Sequence, residues 1–332
     1  MKLVPLGVTL TCISLLAGCG GGGGGGASSS TSTTVSYGPT PSTNQTLAQI
    51  QATSGQYIDS GGDGQSIRVA DAGNDVAVNS GDRRVFGFRT TGTDDRFEVR
   101  VNTRIFPAVT LAAATAAAAN QVRTTLAGDN LDLYSIGNQA TATTGSTQSA
   151  IVGLWILDPD GATVRLMGGF RAGSFTDTTT MNAIDAANVS LTYTGTDSAI
   201  VQFESENVGE TSFTALGDVN IRFDFNVAGT PLTGLLSNID EIGAGNRQLE
   251  NMTFTGNVSG QTWTANLTGL ANPAVVSPNL QTLTAANVVN VATANTFSGA
   301  FYGPDATQTA GTFRINDGGT RYVTGAMLAD RP

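Results

Sequence analysis

Histidine is absent from this 332-residue sequence, and lysine occurs only once, at Lys2. Without histidine the chain cannot activate a serine or cysteine nucleophile in the usual way, and it cannot build the usual histidine-ligated zinc, copper or haem sites. Lys2 precedes an apolar segment with the length of a signal peptide, so the mature chain would also lack the lysine of a P-loop or a Schiff base. Carboxylates remain available for acid–base chemistry, but the sequence contains no paired catalytic motif, since Asp59-Ser60-Gly61 has no second copy. The sequence therefore predicts no catalytic residues, no metal site and no cofactor.

Positive charge is scarce as well, since the formal net charge is −10 at pH 7. The fifteen arginines are scattered, apart from the neighbours Arg83 and Arg84. Nucleic-acid binding needs clustered basic side chains that meet the phosphates. We therefore expect no nucleic-acid partner.

Cysteine occurs twice, at Cys12 and Cys19. Residues 3–16 form an apolar run that is too short to cross a bilayer comfortably but suits the core of a signal peptide. The run ends in the letters LAGC, which resemble the lipobox of bacterial lipoproteins, where the signal peptide is cut before a cysteine whose thiol then carries lipid. The resemblance implies that residues 1–18 are a signal peptide, that Cys19 is lipidated, and that the mature chain has no internal disulfide.

A flexible tether is predicted after the cysteine, over residues 19–45. Seven glycines, Gly20 to Gly26, are followed by a stretch rich in serine and threonine, a composition typical of flexible linkers. Gly20 takes the place of the aspartate that marks inner-membrane retention in enterobacterial lipoproteins. We therefore expect a lipid-anchored protein of the outer membrane, at the cell surface.

The rest of the chain is predicted to be mainly β, because glycine is heavily used (42 residues) and short alternating segments are separated by turn residues. Residues 46–185 are expected to form a β-rich domain. It includes a hairpin in "AIVGLWILDPDGATVRLMGGF", whose turn lies at Asp158 to Gly161. The alanine-rich stretch from Thr110 to Leu126 predicts one helix.

Residues 186–332 alternate more regularly between apolar and polar positions. The segments "NIRFDFN", "NMTFTGNVSG" and "QTWTANLTG" each have the period of a strand with one buried face and one wet face. Five further segments, "VSLTYTG", "AIVQFES", "TFSGAFYG", "GTFRI" and "RYVTGAML", bring the number to about eight. These segments predict a small closed antiparallel barrel of eight strands. The side chains expected to fill it are Phe223, Phe225, Phe254, Trp263, Phe301 and Phe313.

A motif near the C-terminus, "GAFYGPDATQTAGTF", is similar to one found in a known family. It resembles the barrel signature of transferrin-binding protein B and related surface lipoproteins, which reads approximately G-x-F-Y-G-P-x-A-x-E-x-G-G-x-F. The region of the family's glutamate is here Thr307-Gln308-Thr309, Ala310 replaces the first glycine of the pair, and Asp330 interrupts the family's basic ending. The matching positions are Gly299, Phe301, Tyr302, Gly303, Pro304, Ala306, Gly311 and Phe313.

This motif is interpreted as a structural corner. Phe301 should point into the barrel, Gly303 permits a sharp turn, and Pro304 ends strand pairing. Tyr302 alternates outward, so among these aromatics it is the strongest candidate for a ligand contact.

The resemblance implies that residues 46–185 form a handle domain in front of the barrel. It also implies that the protein is a surface binding module for a protein or solute ligand, with a role in nutrient acquisition, and not an enzyme. An outer-membrane receptor or export factor is a further candidate partner, and a structural or adhesive envelope lipoprotein is the alternative. Candidate ligand contacts in the handle are Tyr57, Arg83, Arg84 and Arg89; transferrin itself is not implied, because no segment matches the family's transferrin-gripping loops.

Overall fold

The computed structural model of the protein describes residues 149–158, 166–173, 175–205, 207, 209–283, 295–317 and 320–332, together with the strands that lie between residues 57 and 136. Strands dominate these segments, as the turn-rich, alternating sequence predicts. The described residues form two small sheets and one larger sheet that closes on itself. The fold class expected from the sequence, a mainly β protein with a C-terminal eight-stranded barrel, is confirmed.

Two five-stranded sheets precede the barrel in the chain. The first sheet has the order β1-β3-β4-β5, with β6 also paired to β4, and the second sheet has the order β2-β10-β9-β8-β7. The strands are β1 (Tyr57–Asp59), β2 (Ser66–Arg68), β3 (Arg83–Arg89), β4 (Asp95–Val101), β5 (Arg104–Ile105), β6 (Val109–Thr110), β7 (Asn120–Leu126), β8 (Asp129–Ile136), β9 (Ala150–Asp158) and β10 (Leu166–Gly173).

The predicted hairpin is confirmed, because β9 and β10 pair antiparallel with Leu157 opposite Leu166 and Ala150 opposite Gly173. The turn residues between these strands lie outside the described part of the chain. Trp155 of β9 is almost fully buried. The hairpin therefore forms the middle of the second sheet, with β8 on the other side of β9.

The helix predicted from Thr110 to Leu126 is misplaced. Asn120–Leu126 form strand β7, which pairs with β8, and the alanine run at 111–119 lies outside the described residues. The segment "NQVRTTL" includes β-branched Val122, Thr124 and Thr125, which favour a strand when a partner strand is available. Sheet pairing therefore overrides the helical propensity inferred from the neighbouring alanines.

The one α-helix among the described residues is α1, Thr178–Ala186, which leads into the barrel. The Asp177 side chain caps its first turn by accepting a hydrogen bond of 2.7 Å from the Thr180 N–H, which satisfies a donor left free at a helix start. Met181 is buried against the barrel core. Met181, together with the partly buried Ile184, holds the short helix against the barrel core.

Eight antiparallel strands close the barrel in the order β12-β11-β20-β19-β18-β16-β15-β13, and β13 returns to pair with β12. Two short strands, β14 and β17, pair in parallel beside the end of β13. The strands are β11 (Ser190–Ser205), β12 (Phe213–Asp224), β13 (Pro231–Glu241), β14 (Arg247–Leu249), β15 (Asn251–Ser259), β16 (Thr262–Ala271), β17 (Asn279–Gln281), β18 (Thr296–Tyr302), β19 (Gln308–Asn316) and β20 (Arg321–Asp330).

Alternation along the strands places the large apolar side chains inside the barrel. On β15, for example, Met252 and Phe254 are buried while Thr253 and Thr255 face solvent. All six side chains predicted to fill the barrel belong to one buried cluster. The prediction of a packed interior is confirmed.

The second sheet covers the outer face of four barrel strands, β18, β19, β20 and the second half of β11, which carries Ile200. Ala300, Ala310 and Ala326 on β18 to β20 pack in one buried cluster with Val152 and Leu154 of β9. These barrel strands are consequently buried on both faces, and β20 is buried from Tyr322 to Ala329. The barrel and the second sheet share this core, so each covers apolar surface that the other would expose to water.

The motif glycines Gly299 and Gly311 make room for an indole ring. A Cβ atom built on Gly311 would lie 2.6 Å from the Trp263 ring, and one built on Gly299 would overlap the same ring and lie 2.5 Å from the Ala310 carbonyl oxygen. The Trp263 indole N–H donates to the Thr309 hydroxyl at 2.9 Å, which fixes the ring in place. The two glycines are therefore required for close packing.

We predict that Gly299→Ala destabilises the protein by about 2 kcal/mol, because the added methyl group overpacks the core beside Trp263. Chemical denaturation measures this loss. If the ring is the cause, the double variant Gly299→Ala/Trp263→Phe should lose less free energy of unfolding than the sum of the two single variants. Strict additivity would contradict the proposed contact.

Candidate functional site

Aromatic side chains of the described strands occupy the barrel interior. The rings of Phe254 and Phe297 stack with centroids 4.2 Å apart, and Phe297 stacks on Phe313 at 5.1 Å. Near the other end of the barrel the rings of Phe223 and Phe301 meet edge to face at 4.7 Å. These rings pack the interior between the strands that carry them.

The FYGP corner, Phe301 to Pro304, joins the barrel to the segment that enters it. The Thr176 N–H donates to the Phe301 carbonyl at 3.0 Å, and the Thr176 hydroxyl donates to the Gly303 carbonyl at 2.8 Å. Gly303 has φ of 77°, a conformation that favours glycine, and a short 3₁₀ turn over Pro304–Ala306 follows it. The structural role predicted for Phe301, Gly303 and Pro304 agrees with these contacts.

Tyr302 points away from the barrel interior, as its alternation predicts, but it does not face solvent. Its ring stacks on Phe175 at 5.1 Å and packs in the cluster shared with the second sheet. Burial raises the pKa of its phenol. The hypothesis that Tyr302 contacts a ligand is therefore not supported, because its exposed fraction is only 1%.

Gln308 connects three parts of the chain at this corner. Its side-chain oxygen accepts hydrogen bonds from the Ser149 N–H at 2.6 Å and the Ala150 N–H at 3.0 Å, where β9 begins. Its amide nitrogen donates to the Asp330 carboxylate at 2.7 Å. Sequence reasoning noted Gln308 and Asp330 as separate departures from the family pattern and missed that the two side chains bind each other.

The hydrogen bond between Gln308 and Asp330 explains why both positions differ from the family pattern. A glutamate at the Gln308 position could accept from Ser149 and Ala150, but it would also place a second carboxylate against Asp330. The amide of Gln308 instead supplies the donor that Asp330 needs. Gln308 thus joins Asp330 of β20 to the start of β9 by hydrogen bonds, and we call this set of contacts the Gln308 latch.

We predict that Gln308→Glu destabilises the protein by about 1–2 kcal/mol at neutral pH, because it replaces the part-buried hydrogen bond to Asp330 with two facing carboxylates. The loss should shrink at acidic pH, where the two carboxyl groups can share a proton. Denaturant unfolding of Gln308→Glu and of Gln308→Glu/Asp330→Asn measures the effect. Asp330→Asn should restore most of the lost free energy in the double variant, and an unchanged deficit would contradict the latch.

At the opposite end of the barrel, charged pairs hold the loops in place. Arg321 donates to Glu210 from Nε at 2.9 Å and from Nη2 at 2.5 Å, and this contact lowers the pKa of Glu210 to about 2. Arg247 pairs with Glu241 and lies 4.8 Å above the Phe213 ring. Both arginines are committed to structural contacts, so they are poor candidates for ligand recognition.

The predicted handle contacts lie in the first sheet. Arg83, Arg84 and Arg89 belong to β3, where Arg84 lies opposite Arg100 of β4. Tyr57 of β1 lies opposite Phe88 of β3. Sheet pairing thus brings the predicted residues into one sheet, and their role in binding stays a prediction.

Cys19 and the tether lie outside the described residues. Within the described segments no helix is long and apolar enough to cross a membrane. The same segments contain no group of three or more histidine, cysteine, aspartate or glutamate residues that could hold a metal ion.

A closed barrel with a filled interior, covered on one side by a preceding sheet, defines a scaffold that can present binding surfaces. Comparison with known protein families shows which barrels this one resembles. Residues 186–331 match the family model described as C-lobe and N-lobe beta barrels of Tf-binding protein B. Residues 186–331 are thus similar to the barrels of transferrin-binding protein B, and the resemblance inferred from the FYGP motif is confirmed.

Solved structures include similar proteins at low identity. Transferrin-binding protein B from Haemophilus parasuis Hp5 is 15% identical over 75% of this chain and 53% of its own, with a TM-score of 0.39. The Neisseria meningitidis protein is 12% identical over 75% of this chain and 52% of its own (TM-score 0.37). The N-lobe of lactoferrin-binding protein B from Moraxella bovis is 12% identical over 60% of this chain and 79% of its own (TM-score 0.35).

This chain spans about half the length of the two transferrin-binding protein B structures. No relative was found among curated protein sequences.

Proposed function

We propose that this protein is a lipid-anchored binding protein of the outer-membrane surface, that its ligand is another protein, and that it does not act as an enzyme. The filled barrel carries this proposal. A barrel that stores a small solute needs an internal cavity, whereas here aromatic rings occupy the interior. Recognition must then use the outer surface, which suits a macromolecular partner.

The family match supports the same function. Proteins with this type of barrel are named for binding transferrin, and the similar structures include a lactoferrin-binding protein. We carry over only the general role of capturing a protein at the cell surface, as part of nutrient acquisition. The individual ligand is not carried over, because this chain matches only part of the transferrin-binding proteins.

The anchor in this proposal is Cys19, followed by the tether at 19–45. Acyl chains contribute about 0.8 kcal/mol for each buried methylene group, so a multiply acylated cysteine holds a domain firmly to a membrane. A tether of roughly 26 residues reaches on the order of 28 Å as a flexible coil. The binding domains could therefore clear the lipid headgroups.

We assign the binding surface to the handle-like domain, residues 46–185. The barrel supports this domain through its second sheet, which packs on the buried alanines of β18 to β20 and is joined to Gln308 by hydrogen bonds. A rigid support of this kind reduces the entropy lost on binding. Loops held on such a support are where recognition residues usually lie.

The test uses the ectodomain, residues 45–332, immobilised on a surface. Host fluid or environmental extract is divided by ultrafiltration into a protein fraction and a small-molecule fraction, and each is passed over the surface. We expect saturable capture of one protein from the first fraction and nothing from the second. Self-association without capture would favour the adhesive or structural alternative, and retention of a small solute or turnover of the captured protein would contradict the proposal.

A further inference from the structure

Arg314 lies on the outer face of β19 without an acidic partner among the described residues. Its neighbours Phe313 and Ile315 belong to the barrel core, so Arg314 points outward from the barrel wall. In the described part of the chain its guanidinium takes part in no salt bridge, and its buried Nε–H has no acceptor. A buried charged donor without an acceptor is unfavourable, so this group calls for an explanation.

The barrel wall around Arg314 offers hydroxyl and amide groups. Arg314 lies opposite Thr296 of β18 and opposite Thr324 of β20. Its nearest neighbours on the same face of β19 are Thr312 and Asn316. None of these four side chains carries a charge, so none of them can neutralise the guanidinium.

Arg171 of β10 brings a second guanidinium to the same face. Its Nη1 donates to the Ser298 carbonyl at 2.7 Å and lies 3.4 Å from the Ser298 Oγ. Ser298 lies opposite Thr312, so Ser298 and Arg314 are diagonal neighbours in the sheet, which places their side chains about 7–8 Å apart. Within the described segments Arg171 takes part in no salt bridge either. Two partly buried cations therefore lie close together on one polar face.

Close packing fixes the position of β10 on this wall. Gly169, two residues before Arg171 and on the same face of β10, lies against the barrel. A Cβ atom built on Gly169 would overlap the Gly325 carbonyl and lie 3.1 Å from the Thr312 Cγ2. The backbone contact at Gly169 and the hydrogen bonds at Ser298 together hold Arg171 beside β19.

We propose that Arg171 and Arg314 bind an oxyanion of the phosphate type at the junction between the second sheet and the barrel. Two guanidinium groups match the roughly double negative charge of a phosphate group at neutral pH. The planar guanidinium fork also meets phosphate oxygens with two parallel hydrogen bonds. The anion offsets the repulsion between the two arginines and supplies an acceptor for the Arg314 Nε–H.

The bound anion joins the handle-like domain to the barrel, because Arg171 belongs to β10 and Arg314 to β19. It supports the handle and is not the captured ligand, so this proposal does not rest on the proposed function. The capture test described above is run in phosphate buffer, so that the occupied site contributes nothing to the retention measured there. Either proposal can then fail while the other stands.

The test titrates inorganic phosphate into the ectodomain by calorimetry, with acetate at the same ionic strength as the control. NMR of the arginine Nε–H signals locates the anion, and the Arg314 signal is assigned from its loss in Arg314→Gln. We expect saturable binding at submillimolar phosphate, a shift of the Arg314 Nε–H signal, and a higher unfolding midpoint in phosphate than in acetate. Glycerol 3-phosphate distinguishes the source: if it also binds, the site accepts a phosphate ester, and if it does not, the ligand is the free anion.

Matched variants separate the two arginines from the general charge of the protein. Arg314→Gln and Arg171→Gln should each weaken phosphate binding at least about tenfold, the range for a hydrogen bond to a charged group. Arg314→Lys keeps the charge without the fork and should weaken binding less than Arg314→Gln. Arg222→Gln should bind like the unchanged protein, because Arg222 pairs with Asp224 on β12, a strand that is not adjacent to β19.

Three results would overturn the proposal. They are no saturable phosphate binding, equal stabilisation by acetate, or a phosphate response that survives Arg314→Gln. An equal loss of binding in Arg222→Gln would also contradict it, because the effect would then reflect net charge and not this site. If Arg171→Gln does not fold, the two Arg314 variants and the Nε–H shift decide the question.

Discussion

Phe301→Ala should lower the free energy of unfolding by about 3–5 kcal/mol, the usual cost of removing a fully buried aromatic ring. The ring contacts three aromatic neighbours, with centroids at 4.7 Å from Phe223, 6.0 Å from Tyr193 and 6.1 Å from Phe225. Its removal leaves a cavity that these rings cannot close without moving their strands. Equilibrium denaturation followed by tryptophan fluorescence measures the loss.

Val275→Ala is the control for this experiment. Val275 keeps 81% of its surface exposed, so the change should stay within about 0.5 kcal/mol. A Phe301→Ala variant as stable as this control would show that the ring is not part of the core. If that variant had also lost ligand affinity, the FYGP corner would become a binding site.

Cys19→Ala should abolish lipidation and release the protein from the membrane fraction. If residues 1–18 are a signal peptide, as we propose, Cys12 is removed with it, and Cys19 supplies the one thiol of the mature chain that can carry lipid. Palmitate labelling and membrane fractionation measure the two effects separately. We expect a complete loss of label and recovery of the protein in the soluble fraction.

Cys12→Ala provides the matched control, since it changes the other cysteine and leaves the lipobox intact. It should be labelled and membrane-bound like the unchanged protein. Labelling that survives Cys19→Ala, or that is lost in Cys12→Ala, would contradict the assignment of the anchor.

The barrel could be predicted from sequence because its strands obey a simple physical pattern. Inward positions carry mostly bulky apolar side chains, so the period of two remains visible in strands such as β15 and β16.

The predicted number of eight strands is correct only because two errors cancel. The segments "VSLTYTG" and "AIVQFES" are one long strand, β11, with an irregular register between Gly195 and Ala199, while β13 was missed.

β13 is hard to recognise because its sequence, "PLTGLLSNIDE", alternates weakly. Gly234 occupies an inward position with no side chain, and the Phe254 ring lies over it. Leu235 occupies an outward position although it is apolar. When the ring of a neighbouring strand fills an inward position, the strand itself needs no large apolar residue there. Its alternation of apolar and polar residues is then too weak to identify it from the sequence.

The second sheet's contact with the barrel was also not predicted, although a signal existed. Outward positions on β18 to β20 carry Ala300, Ala310, Ala326 and Leu328, where a wet face would carry polar residues. The Gln308 latch left no comparable signal. Gln308 and Asp330 are 22 positions apart, so their contact follows from strand register rather than from local sequence.

The central claim is that the barrel is a filled support and that the handle surface binds a protein. The most direct test is the dissociation constant of the captured protein for three forms of the ectodomain. They are the unchanged form, a handle variant with Arg83, Arg84 and Arg89 replaced by alanine, and Arg222→Ala as a control. Arg222 lies on the barrel with 55% of its side chain exposed.

We predict that the handle variant binds at least about tenfold more weakly, because arginines at the centre of an interface commonly cost more than 1 kcal/mol when truncated. Arg222→Ala should bind within about twofold of the unchanged form, in line with the small effect of an exposed charge. Equal affinity of all three forms, or a loss confined to Arg222→Ala, would contradict the claim that the handle carries the binding surface.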